Sequence, residues 1–207
     1  MICHKNKFIF VHIPKTAGVS IELALFGGHD ARKRHQSFGW DQKRKIHKHH
    51  ATIEDVQKYY ASNLKDYFKF AFVRNPWDRA VSDWLWFHRE FKLKKIKSFK
   101  NYLLSRGWFA QVNHLRDRSG RGDHFFSQYQ FIANSRSELM VDFVGRFENL
   151  QADFDIICEK MNLSQQKLPH SNKGDRKHYT AYYNDETRRI VAEKYAKDIE
   201  YFGYKFG

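Results

Sequence analysis

The stretch Phe8-Ile-Phe-Val-His-Ile-Pro-Lys-Thr-Ala-Gly-Val-Ser20 decides the fold. Its first four residues are aromatic or β-branched, form too short a run for a buried helix, and are stopped by Pro14, so they read as a core strand of a parallel sheet. The loop after Pro14 carries the chemistry. Lys15 brings an ammonium, Thr16 and Ser20 bring hydroxyls, and Gly18 lets backbone N–H groups come close to an anion. The succeeding Ser20-Ile-Glu-Leu-Ala-Leu25 can open a helix whose N-terminus favours negative charge. The order excludes a nucleoside-triphosphatase loop, in which the lysine comes after the last glycine of G-x-x-x-x-G-K-[ST], because Lys15 precedes Gly18. Standing alone, the stretch reads better as an ordinary strand-to-helix turn with an exposed lysine. A second site has to support it.

That second site is Tyr67-Phe-Lys-Phe-Ala-Phe-Val73, another buried strand ending abruptly in Arg74-Asn75-Pro76. Pro76 suits the first position of a helix and Asn75 its cap. Trp77, Ala80, Val81, Trp84, Leu85 and His88 then recur at helical spacing and turn an apolar stripe to the core. Arg74, at the carboxyl end of a strand, can fork onto phosphate oxygens beside the helix N-terminus, and Ser82 adds a hydroxyl. Singly, Arg74 is also readable as a surface ion pair with Asp78, and Ser82 as a packing hydroxyl. Two strand-loop-helix units with anion chemistry at the same end are harder to read that way.

Composition bounds the rest. The 207 residues suffice for one domain, 1–207, with a substantial core, and 42% hydrophobic residues with 19 Phe, 11 Tyr and 5 Trp mark a globular chain. The apolar run near the start is too short for a signal peptide, and no stretch approaches the roughly 18 apolar residues of a membrane span, so a soluble protein without stable membrane insertion is expected. Cys3 and Cys158 have no metal-ligand spacing and suit a reducing cytoplasm, with a single bridge left open. The 37 Lys and Arg against 23 Asp and Glu give +14, which attracts polyanions or anionic cofactors without naming one. No RNA-recognition or zinc-finger signature accompanies the charge, so nucleic acid is not the expected partner.

Along the chain, residues 21–46 start like a helix and continue past Gly27-Gly28 into a basic stretch with Arg32, Lys33, Arg34, Lys43, Arg44 and Lys45. This reads as a long surface loop, either solvated or a landing surface for an acidic acceptor. His47, His49 and His50 precede Thr52, a helix cap with Asp55 three residues on, and the helix is expected over 53–60. The three histidines are too crowded for a standard helical metal pair and no cysteine is near, so no metal is expected. Lys92, Lys94, Lys95, Lys97 and Lys100 surround a possible helix over 99–105, and Arg116, Arg118 and Arg121 lie in a candidate acceptor-facing loop or lid. A third strand is expected over 140–144, a helix over 150–161, and a last helix from Asn184 or Asp185 to just before Gly203, with Phe202, Tyr204 and Phe206 as an aromatic anchor.

With both anion loops in hand, the chain resembles sulfotransferases that use 3′-phosphoadenosine 5′-phosphosulfate (PAPS), specifically the bacterial relatives of carbohydrate O-sulfotransferases. The resemblance lies in His12-Ile-Pro-Lys-Thr-Ala-Gly-Val-Ser20, in Phe72-Val-Arg-Asn-Pro-Trp-Asp-Arg-Ala-Val-Ser82, in His50-Ala-Thr, in Gly145-Arg-Phe-Glu-Asn-Leu150, in Leu168-Pro-His-Ser-Asn172 and in Asp198-Ile-Glu-Tyr-Phe-Gly-Tyr204. It implies an α/β single domain with a central parallel sheet flanked by helices, laid out like a P-loop nucleotide kinase. It also implies that Lys15 contacts the 5′-phosphosulfate and eases departure of the phosphate, with Thr16, Ala17, Gly18, Val19 and Ser20 supplying hydroxyls or N–H groups. Val19 stands where the family usually has Thr, so only its N–H can serve. Arg74 and Ser82 would hold the 3′-phosphate, and Lys173 or Arg176, in a late loop similar to one that closes over the nucleotide, would add a contact. His50 is the expected general base, with His49 as runner-up, and the chemistry needs no metal. The product would be 3′-phosphoadenosine 5′-phosphate (PAP), and the acceptor a carbohydrate, an acidic one being suggested by the charge. A nucleotide kinase of similar layout and a non-catalytic polyanion-binding protein are the rival readings. The acceptor hydroxyl and the oligomeric state are not readable.

Overall fold

The computed structural model describes residues 1–60, 63–93, 97–114, 122–169 and 176–207. Lys173, the loop arginines Arg116, Arg118 and Arg121, and Lys94 and Lys95 lie outside the described residues. In chain order the elements are β1 (Ile2–Cys3), β2 (Phe8–Val11), α1 (Gly18–Phe26), α2 (His29–Arg34), β3 (Trp40–Asp41), β4 (Ile46–His47), α3 (Ile53–Tyr59), β5 (Phe68–Val73), α4 (Pro76–Glu90), α5 (Phe99–Leu103), α6 (Trp108–His114), α7 (Tyr129–Ile132), β6 (Phe143–Arg146), α8 (Leu150–Lys160), α9 (Asp185–Lys194) and α10 (Ala196–Phe202). The fold is α/β with a mostly parallel central sheet and flanking helices. Two compact units are distinguishable, Met1–Val73 with Gln130–Lys173, and Arg74–Tyr129 with Gly174–Gly207.

The first unit carries the sheet, in the order β1-β2-β5-β6. β2, β5 and β6 run parallel, and β1 adds an antiparallel edge. Parallel strands are covered on both faces, which is why β2 is buried at all four residues and β5 at its last four. Phe10 pairs with Phe70 in register, and their rings stack with centroids 5.1 Å apart. Phe8, Phe10, Phe70 and Phe72 pack with Ile21 of α1 and with Phe154, Ile157 and Cys158 of α8. Each such ring contributes on the order of 2 kcal/mol by leaving water.

Two expectations for this unit change. The third strand is Phe143–Arg146, shifted along the chain from 140–144. Gly145 lies opposite Phe72, and a Cβ there would meet the Phe72 ring at 2.6 Å, so glycine is what lets β6 dock against β5 at that point. The segment 21–46 is not a surface loop. α1 runs to Phe26, Gly27 closes it in the left-handed conformation, α2 comes next, and β3 and β4 pair as a hairpin. Arg32 is buried rather than solvated. α3 matches expectation, with Thr52 and Asp55 forming a reciprocal capping box. Cys3 and Cys158 are both free thiols.

In the second unit, Asn75 caps α4 by accepting from the Trp77 N–H at 3.1 Å, with Pro76 in the first turn. Trp77, Ala80, Val81 and Trp84 are buried as the periodicity predicts, while Leu85 and His88 are half-buried. Arg79, Asp83 and Phe87 are buried too, which widens the covered face beyond the apolar stripe. The expected last helix is two: Tyr195 leaves helical geometry with ψ 30°, and α10 buries Asp198 and Phe202 after the break. The aromatic anchor forms, with Phe206 edge-on to Trp77, Tyr179 and Tyr183. No described helix is long and apolar enough to cross a membrane.

Candidate active site

In the first unit the site begins where β2 ends. Lys15 (φ 71°) and Ala17 (φ 67°) both adopt the left-handed conformation that favours glycine, on either side of Thr16. Such residues cost on the order of 1 kcal/mol each and gather where a backbone is shaped for a ligand. Thr16 is fully buried and its hydroxyl donates to the Ile13 carbonyl at 2.9 Å, so it braces the loop from inside. Ala17 is the N-cap of α1 and contributes no side-chain hydrogen bond. A helix entered this way offers its first N–H groups, at Gly18, Val19 and Ser20, to an incoming anion. Lys15, Ala17 and Val19 are half-buried, and Ser20 is buried.

Gly18 has a further reason to be glycine. A Cβ there would lie 2.0 Å from Cδ2 and 2.1 Å from Nε2 of His12. The buried His12 cannot easily yield, because its Nδ1 is 2.7 Å from Oε1 of Glu22 and its ring stacks on Phe10. Glu22, fully buried, takes Arg32 Nε on its other oxygen. Burial pushes the Glu22 carboxyl up, but His12 and Arg32 outweigh it and hold the group down at about 2. This buried triad escapes sequence periodicity. Its one signal in the sequence is a carboxylate lodged between Ile21 and Leu23 in an otherwise apolar run.

The histidines also fall in this unit. His50 ends a 3-10 turn over Lys48–His50, is half-buried, and stands edge-on to the His12 ring with centroids 4.9 Å apart. His49 stacks on Phe38, and its Nδ1 is buried without a hydrogen-bond partner. Burial first, and then the neighbouring His50, His12, His47 and Arg32, push His49 well below the usual imidazole value. A ring so reluctant to take a proton is a poor base.

In the second unit, Arg74 comes directly after Val73 of β5. It is buried, and both Nε (2.8 Å) and a terminal nitrogen (2.7 Å) meet Oδ2 of Asp78. The ion pair with Asp78 therefore exists, but it is not at the surface. Arg176 reaches Oδ1 of the same carboxylate, and its other terminal nitrogen is buried without a hydrogen-bond partner. Asp78 thus aligns two guanidiniums, one with unspent donor capacity. Arg79 is spent differently: it donates to the carbonyls of Phe126 and His124 at 2.9 and 3.2 Å, which makes it a brace rather than a ligand. Ser82 is half-buried on α4.

A strand, a strained lysine loop and a helix entered without a side-chain cap put the chain among α/β proteins of P-loop-like layout. Its family is narrower. Residues 1–205 match the model of the sulfotransferase family, so the chain belongs to that family and is a transferase of the sulfotransfer type. An uncharacterized protein of Archaeoglobus fulgidus is 31% identical over 100 residues, which cover 48% of this chain and 72% of that one. Carbohydrate sulfotransferase 10 of Pongo abelii is 22% identical over 99% of this chain and 66% of its own length. No solved structure matches significantly.

Proposed function

We propose that the protein transfers the sulfuryl group of PAPS to a hydroxyl of a carbohydrate acceptor. The observation that carries this reading is the pair of left-handed residues, Lys15 and Ala17, leading into α1 in a chain of the sulfotransferase family. Strained residues of this kind are held by the structure around them and cluster at ligand sites. The residues fit the donor's anions: Lys15 with the N–H groups of Gly18, Val19 and Ser20 for the 5′-phosphosulfate, Arg74 and Ser82 for the 3′-phosphate. Arg176, aligned with Arg74 on Asp78, supports a second cation for that phosphate. Lys173 is retained as a further contact by resemblance alone.

PAPS supplies an activated sulfuryl group on a phosphate leaving group. His50 takes the proton of the acceptor hydroxyl as its oxygen bonds to sulfur, and Lys15 neutralises the charge that builds on the departing phosphate. Neither role calls for a metal. The carbohydrate acceptor is supported by the likeness to a carbohydrate sulfotransferase, and the +14 balance favours an acidic saccharide. Two free cysteines favour a reducing cytoplasm. Incubation with labelled-sulfate PAPS and a panel of neutral and acidic glycans tests the reading. Label should pass to a glycan, and retention of all label on the nucleotide across the panel would overturn the carbohydrate assignment.

A further inference from the structure

Arg74 is held at its side chain by Asp78, but its main chain is held by a residue far away in sequence. Gln128 is 0% exposed. Its Oε1 accepts from the Arg74 N–H at 2.8 Å, and its Nε2 donates to the Arg74 carbonyl at 2.8 Å. One carboxamide therefore takes both main-chain hydrogen bonds of the residue just beyond β5, as the peptide of a neighbouring strand would. Those groups would otherwise need a strand there, which would close the end of β5, or water, which would leave Arg74 loose.

The amide is itself fixed. Asp198 of α10, also 0% exposed, accepts from the Gln128 N–H at 2.9 Å and lies 3.4 Å from Nε2, while its other oxygen accepts from the Tyr129 N–H at 2.8 Å. A carboxylate only accepts, so it draws Nε2 to its own side and leaves Oε1 for the Arg74 N–H. Two buried polar side chains with these partners are costly to keep unless each bond is made.

We propose that Gln128, oriented by Asp198, is the positioning residue for Arg74, and that it sets the preference for a nucleotide carrying a 3′-phosphate. With its main chain clamped by Gln128 and its guanidinium by Asp78, Arg74 loses its freedom before any ligand arrives, and binding does not have to supply that ordering. The inference rests on Arg74 as the ligand of the 3′-phosphate.

Calorimetry with PAP and with adenosine 5′-monophosphate, which lacks the 3′-phosphate, tests it on the full chain. The wild type should prefer PAP. Gln128→Met, similar in volume but without either hydrogen-bonding group, should cut that preference roughly ten- to hundredfold, the share of one charge-assisted hydrogen bond, and leave monophosphate affinity nearly unchanged. Gln128→Glu keeps an acceptor for the Arg74 N–H but turns a second acceptor towards the Arg74 carbonyl and the buried Asp198, so it should lose at least as much. A filler that only stabilises the fold would lower both affinities together or neither, so a wild-type preference ratio in either folded variant overturns the proposal. A wild type without preference for PAP overturns the reading of Arg74 itself, whatever the variants do.

Discussion

Replacing Glu22 by Gln probes the buried triad beside the lysine loop. Its carboxyl sits at about 2 against an ordinary 4.5, because His12 at 2.7 Å and Arg32 outweigh the burial that pushes it up. That gap is worth about 3 kcal/mol at roughly 1.4 kcal/mol per pH unit. Gln removes the charge and leaves Arg32, 9% exposed, without its counter-charge. The expected loss at neutral pH is therefore about 3–5 kcal/mol, and the thermal midpoint of a chain this size should fall on the order of 10 °C. The pH dependence has a definite sign. A lowered carboxyl stabilises fully above its unfolded value near 4.5, and that contribution drains as pH falls towards 2. Urea unfolding followed by circular dichroism should show wild type and Glu22→Gln far apart at neutral pH and converging below about pH 4. The combined variant Glu22→Leu/Arg32→Met, which removes both charges, should recover much of the loss. A deficit under about 1 kcal/mol at neutral pH, or one that stays constant through the acid range, would refute the reasoning.

Gly18→Ala should cost about 1–3 kcal/mol and lower donor affinity, because its Cβ would overlap the pinned His12 ring at 2.0 Å. Gly27→Ala, with nothing within 4 Å, should cost only about 1 kcal/mol for its positive φ and leave donor affinity intact; equal effects in calorimetry and melting would contradict the contact. His50→Ala should reduce kcat by roughly a hundredfold or more while donor affinity holds, and His49→Ala should act mainly on stability. Near-normal turnover in His50→Ala would move the base elsewhere. Reversing the exposed charges Lys33, Arg34, Lys43 and Lys45 to Glu should raise the KM for an acidic glycan, more so at low salt, and an unchanged KM would leave that surface merely solvated.

Local patterns were legible in the chain alone. The runs Phe8–Val11 and Phe68–Val73 read as strands because they are short, rich in aromatic and β-branched residues, and bounded by Pro14 and Pro76. Thr52 with Asp55, and Asn75 with Pro76, announce helix starts through bonds spanning two or three residues. Features that depend on partners distant in sequence stayed hidden. Arg32 looks like one of a solvated basic run until Glu22 is seen to hold it, and Gln128 carries no pattern at all because its meaning comes from Arg74, 54 residues earlier, and Asp198, 70 residues later. The offset of the third strand has the same origin, since Gly145 weakens a strand signal while the Phe72 ring opposite requires it.

Isothermal calorimetry of the full chain against PAP, and against ATP with magnesium, tests the donor most directly. PAP should bind tightly in the absence of metal, and Arg74→Ala should lose roughly ten- to hundredfold in that affinity. A preference for ATP with magnesium, or PAP binding indifferent to Arg74→Ala, would contradict the assignment of the donor.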